Sequence, residues 1–256
     1  MIRVPIPIVA ALLLTACGAE APRVPIAPKK EPAAQAAGYA IPAMVTRVEA
    51  GPAGLTLTGS APAGAPVRLA SPDGAAMAAK ADDKGVWRLI VPAATQPRLF
   101  GLSSTQGART VQAQGYLLLT PDGRGYLLRS GAGAVRVGPV AGLAITTFDF
   151  DREGAAVVSG AAPASATITV RADGRQSADG RADAAGRFAI SLSQPLAAGA
   201  HAIKIFSDGA ENSATIDTSP AASLVDGPFR SSTTPAGLRV DWMTPGGGVQ
   251  STVILN

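Results

Sequence analysis

The chain of 256 residues has one cysteine, Cys17, and one histidine, His201. A single cysteine excludes an intrachain disulfide, so stability must come from packing. A single histidine excludes a His-Glu-x-x-His zinc site and the usual mixed Cys and His metal sets. No Gly-x-Ser-x-Gly nucleophile elbow occurs. Gly246-Gly247-Gly248 lacks the strand-to-helix setting of a phosphate loop. Aromatic residues make up only 4%, so a core must be built from Ala, Val, Leu and Ile. The apolar run from Ile6 to Leu14 is interrupted by Pro7 and falls short of the roughly 20 residues of a membrane-spanning helix. The formal net charge is +4, but the basic residues are scattered, without runs or interleaved aromatics. That describes a mildly basic surface and argues against a nucleic-acid partner.

What is present begins at the N-terminus. Met1-Ile2-Arg3 gives a positive start, Ile6 to Leu14 an apolar segment, and Thr15-Ala16 small residues before a cut, which is the layout of a secretory signal. Leu14-Thr15-Ala16-Cys17 resembles the lipobox of bacterial lipoproteins: an aliphatic residue, two small ones, then Cys. The resemblance implies that residues 1–16 are a signal peptide cleaved before Cys17. It also implies a diacylglyceryl thioether on the Cys17 sulfur and an acylated new N-terminus. One acyl chain binds a membrane reversibly and two or more hold firmly, at about 0.8 kcal/mol per buried methylene. By analogy with Gram-negative lipoproteins, Gly18 in place of a retention Asp implies the outer membrane, on either face. The bland alternative is an ordinary secretory leader with a chance cysteine at the cut.

Residues 17–43 then read as the lipidated cysteine and a tether. Pro22, Pro25, Pro28 and Pro32 recur without a hydrophobic period. Such a segment is extended, at about 3.1 Å per residue. Lys29-Lys30 could touch lipid headgroups, but two charges carry little.

The body contains an internal repeat. Leu57-Thr-Gly59-Ser-Ala61-Pro62 answers Val158-Ser-Gly160-Ala-Ala162-Pro163, and Ala81-Asp82-Asp83-Lys84-Gly85-Val86-Trp87 answers Ala182-Asp183-Ala184-Ala185-Gly186-Arg187-Phe188. The glycine offset is 101 at both ends (160−59 and 186−85). Two copies of one structural unit are the simplest account. Both copies read as β. Thr167-Ile168-Thr169-Val170 and Phe188-Ala189-Ile190-Ser191-Leu192 alternate with period two, and Asp173-Gly174 and Asp183-Ala-Ala-Gly186 are turn chemistry. Trp87 and Phe188 share a repeat position as the large inward residue. Gly (29) and Pro (21) are abundant, which fits many short strands and turns.

A possible hairpin follows each copy: Tyr116 to Leu128 around Thr120-Pro121-Asp122-Gly123, and Leu238 to Leu255 around Thr244-Pro245-Gly246. In the second, Leu238, Val240 and Trp242 share one face, and Arg239 and Asp241 the other. These hairpins are either separate additions or late strands of enlarged sandwiches. The expected division is 44–138 for the first unit with its hairpin and 139–256 for the second.

The pattern Gly-x-Ala-x-x-Gly/Ser-x-x-Val-x-Val, Asp-Gly, Ala-Asp-x-x-Gly-x-Trp/Phe, then Gly-x-His-x-Ile-x-Ile resembles the immunoglobulin-like domains repeated in bacterial surface and envelope proteins. The resemblance covers 55–59 and 64–91 in copy one and 156–213 in copy two. It implies an all-β fold of two tandem Ig-like β-sandwich units and is nearly silent on activity. Copy one departs from it after Val91, since Pro92 to Gly107 lacks the Gly-x-His step.

Few residues suggest chemistry. Gly199-Ala-His201 is shaped like a sandwich corner, where a Tyr often bonds back to the backbone and a His can do the same. Asp149 and Asp151 alternate with Phe148 and Phe150, which puts both acids on one strand face. Asp82-Asp83 and Asp208-Gly-Ala-Glu211-Asn212 sit at turns, with oxygen ligands of the kind calcium needs, but no Asp-x-Asp-x-Asp-Gly loop occurs, which favours solvated turn acids over calcium binding. The expectation is therefore a non-enzymatic envelope lipoprotein with no catalytic residue, metal or cofactor, and with Cys17 as the one modified residue. It would act as a structural or protein-interaction module, or alternatively bind peptidoglycan or surface polysaccharide.

Overall fold

The computed structural model describes residues 40–256. Cys17, Gly18 and Lys29-Lys30 lie outside the described residues. Among the described residues every regular element is a β-strand. The first repeat gives β1 (Met44–Gly51), β2 (Gly54–Ser60), β3 (Pro66–Ala70), β4 (Ala76–Lys80), β5 (Val86–Val91), β6 (Arg98–Gln106) and β7 (Arg109–Leu119), continued by β8 (Gly125–Leu128) and β9 (Val135–Arg136). The second gives β10 (Ala144–Asp151), β11 (Ala156–Ala161), β12 (Thr167–Ala172), β13 (Arg175–Arg181), β14 (Arg187–Ser191), β15 (Ala200–Ser207) and β16 (Ala210–Asp217), continued by β17 (Phe229–Thr234), β18 (Gly237–Met243) and β19 (Val249–Leu255).

Four sheets result, with strand orders β1-β2-β5, β4-β3-β6-β7-β8-β9, β14-β11-β10-β19-β18-β17 and β13-β12-β15-β16. All the pairings are antiparallel. The first two sheets enclose a core around Leu57, Leu69, Trp87, Leu102 and Leu117. The last two enclose one around Phe148, Val158, Ile168, Phe188 and Ile205. Each is an Ig-like β-sandwich, with the large inward residue, Trp87 or Phe188, where the alternation places it.

The duplication extends to small details. A β-bulge falls between Val45 and Arg47 in β1 and between Ile145 and Thr147 in β10. Inside each bulge a threonine hydroxyl donates across the ladder: Thr46 Oγ1 to the Thr58 carbonyl, Thr146 Oγ1 to the Ser159 carbonyl. Asp82 Oδ1 accepts from the Lys84 and Val86 amides, and Asp183 Oδ1 from those of Ala185 and Arg187. Gly59 and Gly160 are required by close approach. A Cβ on Gly59 would meet the Met44 carbonyl oxygen at 2.1 Å and the Trp87 ring at 2.3 Å; on Gly160 it would meet the Ala144 oxygen at 1.9 Å and the Phe188 ring at 2.8 Å. Copy one, whose sequence loses the pattern after Val91, still builds β6 there.

The hairpins are strands of the sandwiches' own sheets. The first, β7–β8, lengthens the second sheet, and β18–β19 joins the third through β19 on β10. They close with the same turn: the Thr120 amide donates to the Arg124 carbonyl and the Thr244 amide to that of Gly248. The two hairpins face each other. Leu118, Tyr126 and Leu128 of the first pack with Val240, Trp242 and Ile254 of the second, along with Leu99 and Ala134, in a third apolar layer. The sheets therefore stack four deep with three apolar layers between them, and the two sandwiches share a core.

Candidate functional site

One titratable group is drawn into that middle layer. On β10, Phe148 and Phe150 point into the second sandwich, so Thr147 and Asp149 point the opposite way, toward the first. Asp149 is 1% exposed. The segment from Arg129 to Ala134, which links β8 to β9, lies over it. This segment is Arg129-Ser-Gly-Ala-Gly-Ala134, and its small residues allow a close backbone approach. A Cβ on Gly133 would fall 2.3 Å from Ser159 Oγ and 2.8 Å from Val157.

Asp149 accepts three hydrogen bonds. The Ala134 amide donates to Oδ2 at 2.7 Å, the Thr252 hydroxyl to Oδ1 at 2.5 Å and the Gln250 amide to Oδ1 at 3.1 Å. A further shell orients these donors. Trp242 Nε1 donates to Thr252 Oγ1, the Gly131 amide to Gln250 Oε1, and Thr147 Oγ1 to the Ala134 carbonyl. Burial pushes the Asp149 carboxyl up to about 6, against the opposing pull of Thr252, Ala134, Gln250 and the Arg129 charge. Burial in turn lowers the Arg129 guanidinium, which donates to the Gly133 and Ala132 carbonyls. The cluster clasps the linking segment of the first sandwich onto the third sheet.

A second buried carboxylate, Asp241 on β18, lies on the opposite face of that sheet. Burial raises its pKa, but hydrogen bonds from Arg239, Arg230 and Ser251 outweigh this and hold it below the usual range. Arg239 also covers the Phe150 ring at 5.1 Å.

The other candidate acids do not converge with Asp149. Asp151 shares its strand face but ends β10 as a turn residue, accepting from the Ala155 amide. Asp82 caps its turn. Asp208 takes a left-handed φ of 48° at the β15–β16 turn, Glu211 lies 3.7 Å from Lys204, and Asn212 accepts from the Ile145 amide. Among the described residues no three His, Cys, Asp or Glu side chains group as a metal site. His201 takes the corner role: Nε2 contacts the Ala197 carbonyl at 2.8 Å and Nδ1 contacts Asp173 Oδ2 at 2.7 Å. The bond to Asp173 raises the imidazole pKa, and the same bond lowers that of the carboxyl.

Sequence reasoning found Asp149 but not its donors Gln250, Thr252 and Ala134, nor the Asp241 cluster. The available signals were the polar alternation of Gln250 and Thr252 within a C-terminal strand and the run of small residues before Val135.

A chain of cavities follows the junction of the sandwiches. One of about 540 Å3 is lined by Tyr116, Gln112, Gln114 and Arg129. A neighbour of about 530 Å3 shares Tyr116 and reaches Phe100 and Met243, and a third of about 660 Å3 continues to Phe229, Asp73 and Asp226. No helix among the described residues is long and apolar enough to cross a membrane.

Residues 144–223, from β10 through β16, match the family model described as a bacterial Ig domain. Among solved structures the chain is similar to "Biofilm associated protein - BSP domain", at 14% identity with a TM-score of 0.26. That match covers 66% of this chain and 28% of the other, so this chain corresponds to less than a third of that protein's length. No curated protein matches.

Proposed function

We propose that the protein is a non-enzymatic envelope lipoprotein, held at the outer membrane by lipid on Cys17 and acting as a structural or protein-interaction module. In this reading residues 17–43 are the tether, and 44–138 and 139–256 are the duplicated units it presents. The observation that carries the non-catalytic part is the fate of Asp149. This acid sits behind Ala134, Gln250 and Thr252, where its three bonds hold the chain together and no substrate reaches it. His201 is likewise engaged in a corner. Site-specific crosslinking in intact cells should recover one envelope protein reproducibly, and recovery of none would count against the interaction role. Palmitate labelling of wild type and Cys17→Ala tests the anchor, and equal labelling would overturn it.

A second reading, as a glycan-binding module, has one observation in its favour. The junction cavity sets a half-buried Tyr116 among the amides of Gln112 and Gln114 and the Arg129 guanidinium. An apolar platform with a few convergent polar groups is the general form of a small-ligand site. Cosedimentation of the purified chain with sacculi, in the absence of other proteins, decides between the readings. Binding that Tyr116→Ala abolishes favours the glycan.

A further inference from the structure

The two copies differ at one sheet edge. In the second sandwich β10 pairs with β11 on one side and with β19 on the other, over Thr147–Asp151. In the first sandwich β1 pairs only with β2, and no backbone bond joins its far side to any other described residue. The inward side chains record the difference. Ile145 and Phe148 are buried, whereas their counterparts Val45 and Val48 are only partly covered. Among the described residues β1 is thus an eight-residue strand with an open edge, where its twin has a paired one.

We propose that this edge pairs with β1 of a second copy of the chain, antiparallel about a two-fold axis through Val48. Charge complementarity supports the pairing. β1 carries Arg47 and Glu49 on its outward face, either side of Val48, both well exposed and 3.2 Å apart within one chain. In an antiparallel pair centred on Val48, Arg47 stands opposite the partner's Glu49, and Glu49 opposite the partner's Arg47. Opposite charges directly across a ladder are favourable and like charges are not. Open edges are commonly guarded by charges or bulges, but neither guard operates here. One basic and one acidic residue flanking the axis attract in the self-pair. The bulge at Val45 and Arg47 recurs in β10, which accepts β19 from Thr147 onward, past the bulge, so the counterpart stretch from Arg47 is open to pairing. The surface is the same on both partners, so the assembly closes as a dimer. Strand addition alone buries less than a standard interface, so the dimer is weak in solution; on the lipid-anchored reading proposed above, confinement to a membrane favours it.

The test is sedimentation of the full chain in detergent across a concentration series. Wild type should dimerise reversibly. Arg47→Glu alone and Glu49→Arg alone should each weaken the dimer roughly tenfold, because each places two like-charged pairs across the axis. The double swap, Arg47→Glu with Glu49→Arg, should restore it. Both side chains are exposed, so circular dichroism should show all variants folded. Three outcomes would overturn the proposal: a monomer at every concentration, a dimer indifferent to single reversals, or a swap that does not restore pairing.

Discussion

Glu49 and Asp149 occupy the same position in two copies of one strand, each just past the same bulge. Glu49 stands in solvent beside Arg47, whereas Asp149 lies at 1% exposure under Ala134. The strands themselves do not create this difference. It comes from what covers them. The third sheet receives the segment 129–136 and gains β19 beside β10, and the first sheet receives neither. In a duplicated fold the repeated strands fix where a side chain points, and the unrepeated connections fix whether that direction leads to water or to protein.

The largest effect is expected where the two hairpins meet. Trp242 is fully buried, donates to Thr252, and meets Tyr116 edge-on with centroids 5.9 Å apart. Trp242→Ala should lower the stability read at the first urea transition by about 4 kcal/mol. If the loss were below about 1 kcal/mol, the third apolar layer would not be a core.

Next comes the acid that distinguishes the copies. The folded Asp149 holds its proton up to about pH 6, whereas in the unfolded chain it ionises near 3.8. The folded state therefore binds the extra proton between these values. Asp149's contribution is fully present below pH 3.8 and is lost as pH rises through about 6, a change of about 3 kcal/mol. Asp122 and Asp241, held low by their partners, act in the opposite sense: their contribution is present at neutral pH and lost on acidification. Subtracting the urea stability of Asp149→Asn from that of wild type between pH 4 and 7 isolates the Asp149 term. A difference that stays flat would contradict its burial.

The smallest effect is expected at the threonine that both bulges share. Thr46 and Thr146 make the same bond, one exposed and one buried. Thr146→Val should cost about 1 kcal/mol and Thr46→Val a few tenths, because water replaces the lost partner only at Thr46. Equal losses would mean that the cover over the two sheets makes no difference.

Much of this fold could be read in the sequence. The 101-residue offset, the alternation in the second copy and the Asp-x-x-Gly turns depend on local chemistry, and each reappears as geometry. Gly59 and Gly160 were visible as a matched pair, although the contact with Trp87 or Phe188 that forbids a side chain was not. The environment of Asp149 was less legible. Its alternation with Phe148 and Phe150 gave the face, but that face is buried by Ala134, Gln250 and Thr252, which lie 15 to 103 residues away in the chain. Period two cannot say which face of a sheet meets another sheet. The hairpins left the same ambiguity, because a two-stranded pattern does not reveal which edge it extends.

Two sandwiches built on one sequence repeat share a core through their hairpins. Calorimetry of the full chain beside Trp242→Ala tests it most directly. The wild type should unfold in one transition whose van't Hoff and calorimetric enthalpies agree, and the variant should split into two. Two separate transitions in the wild type, unchanged by the substitution, would contradict the shared core.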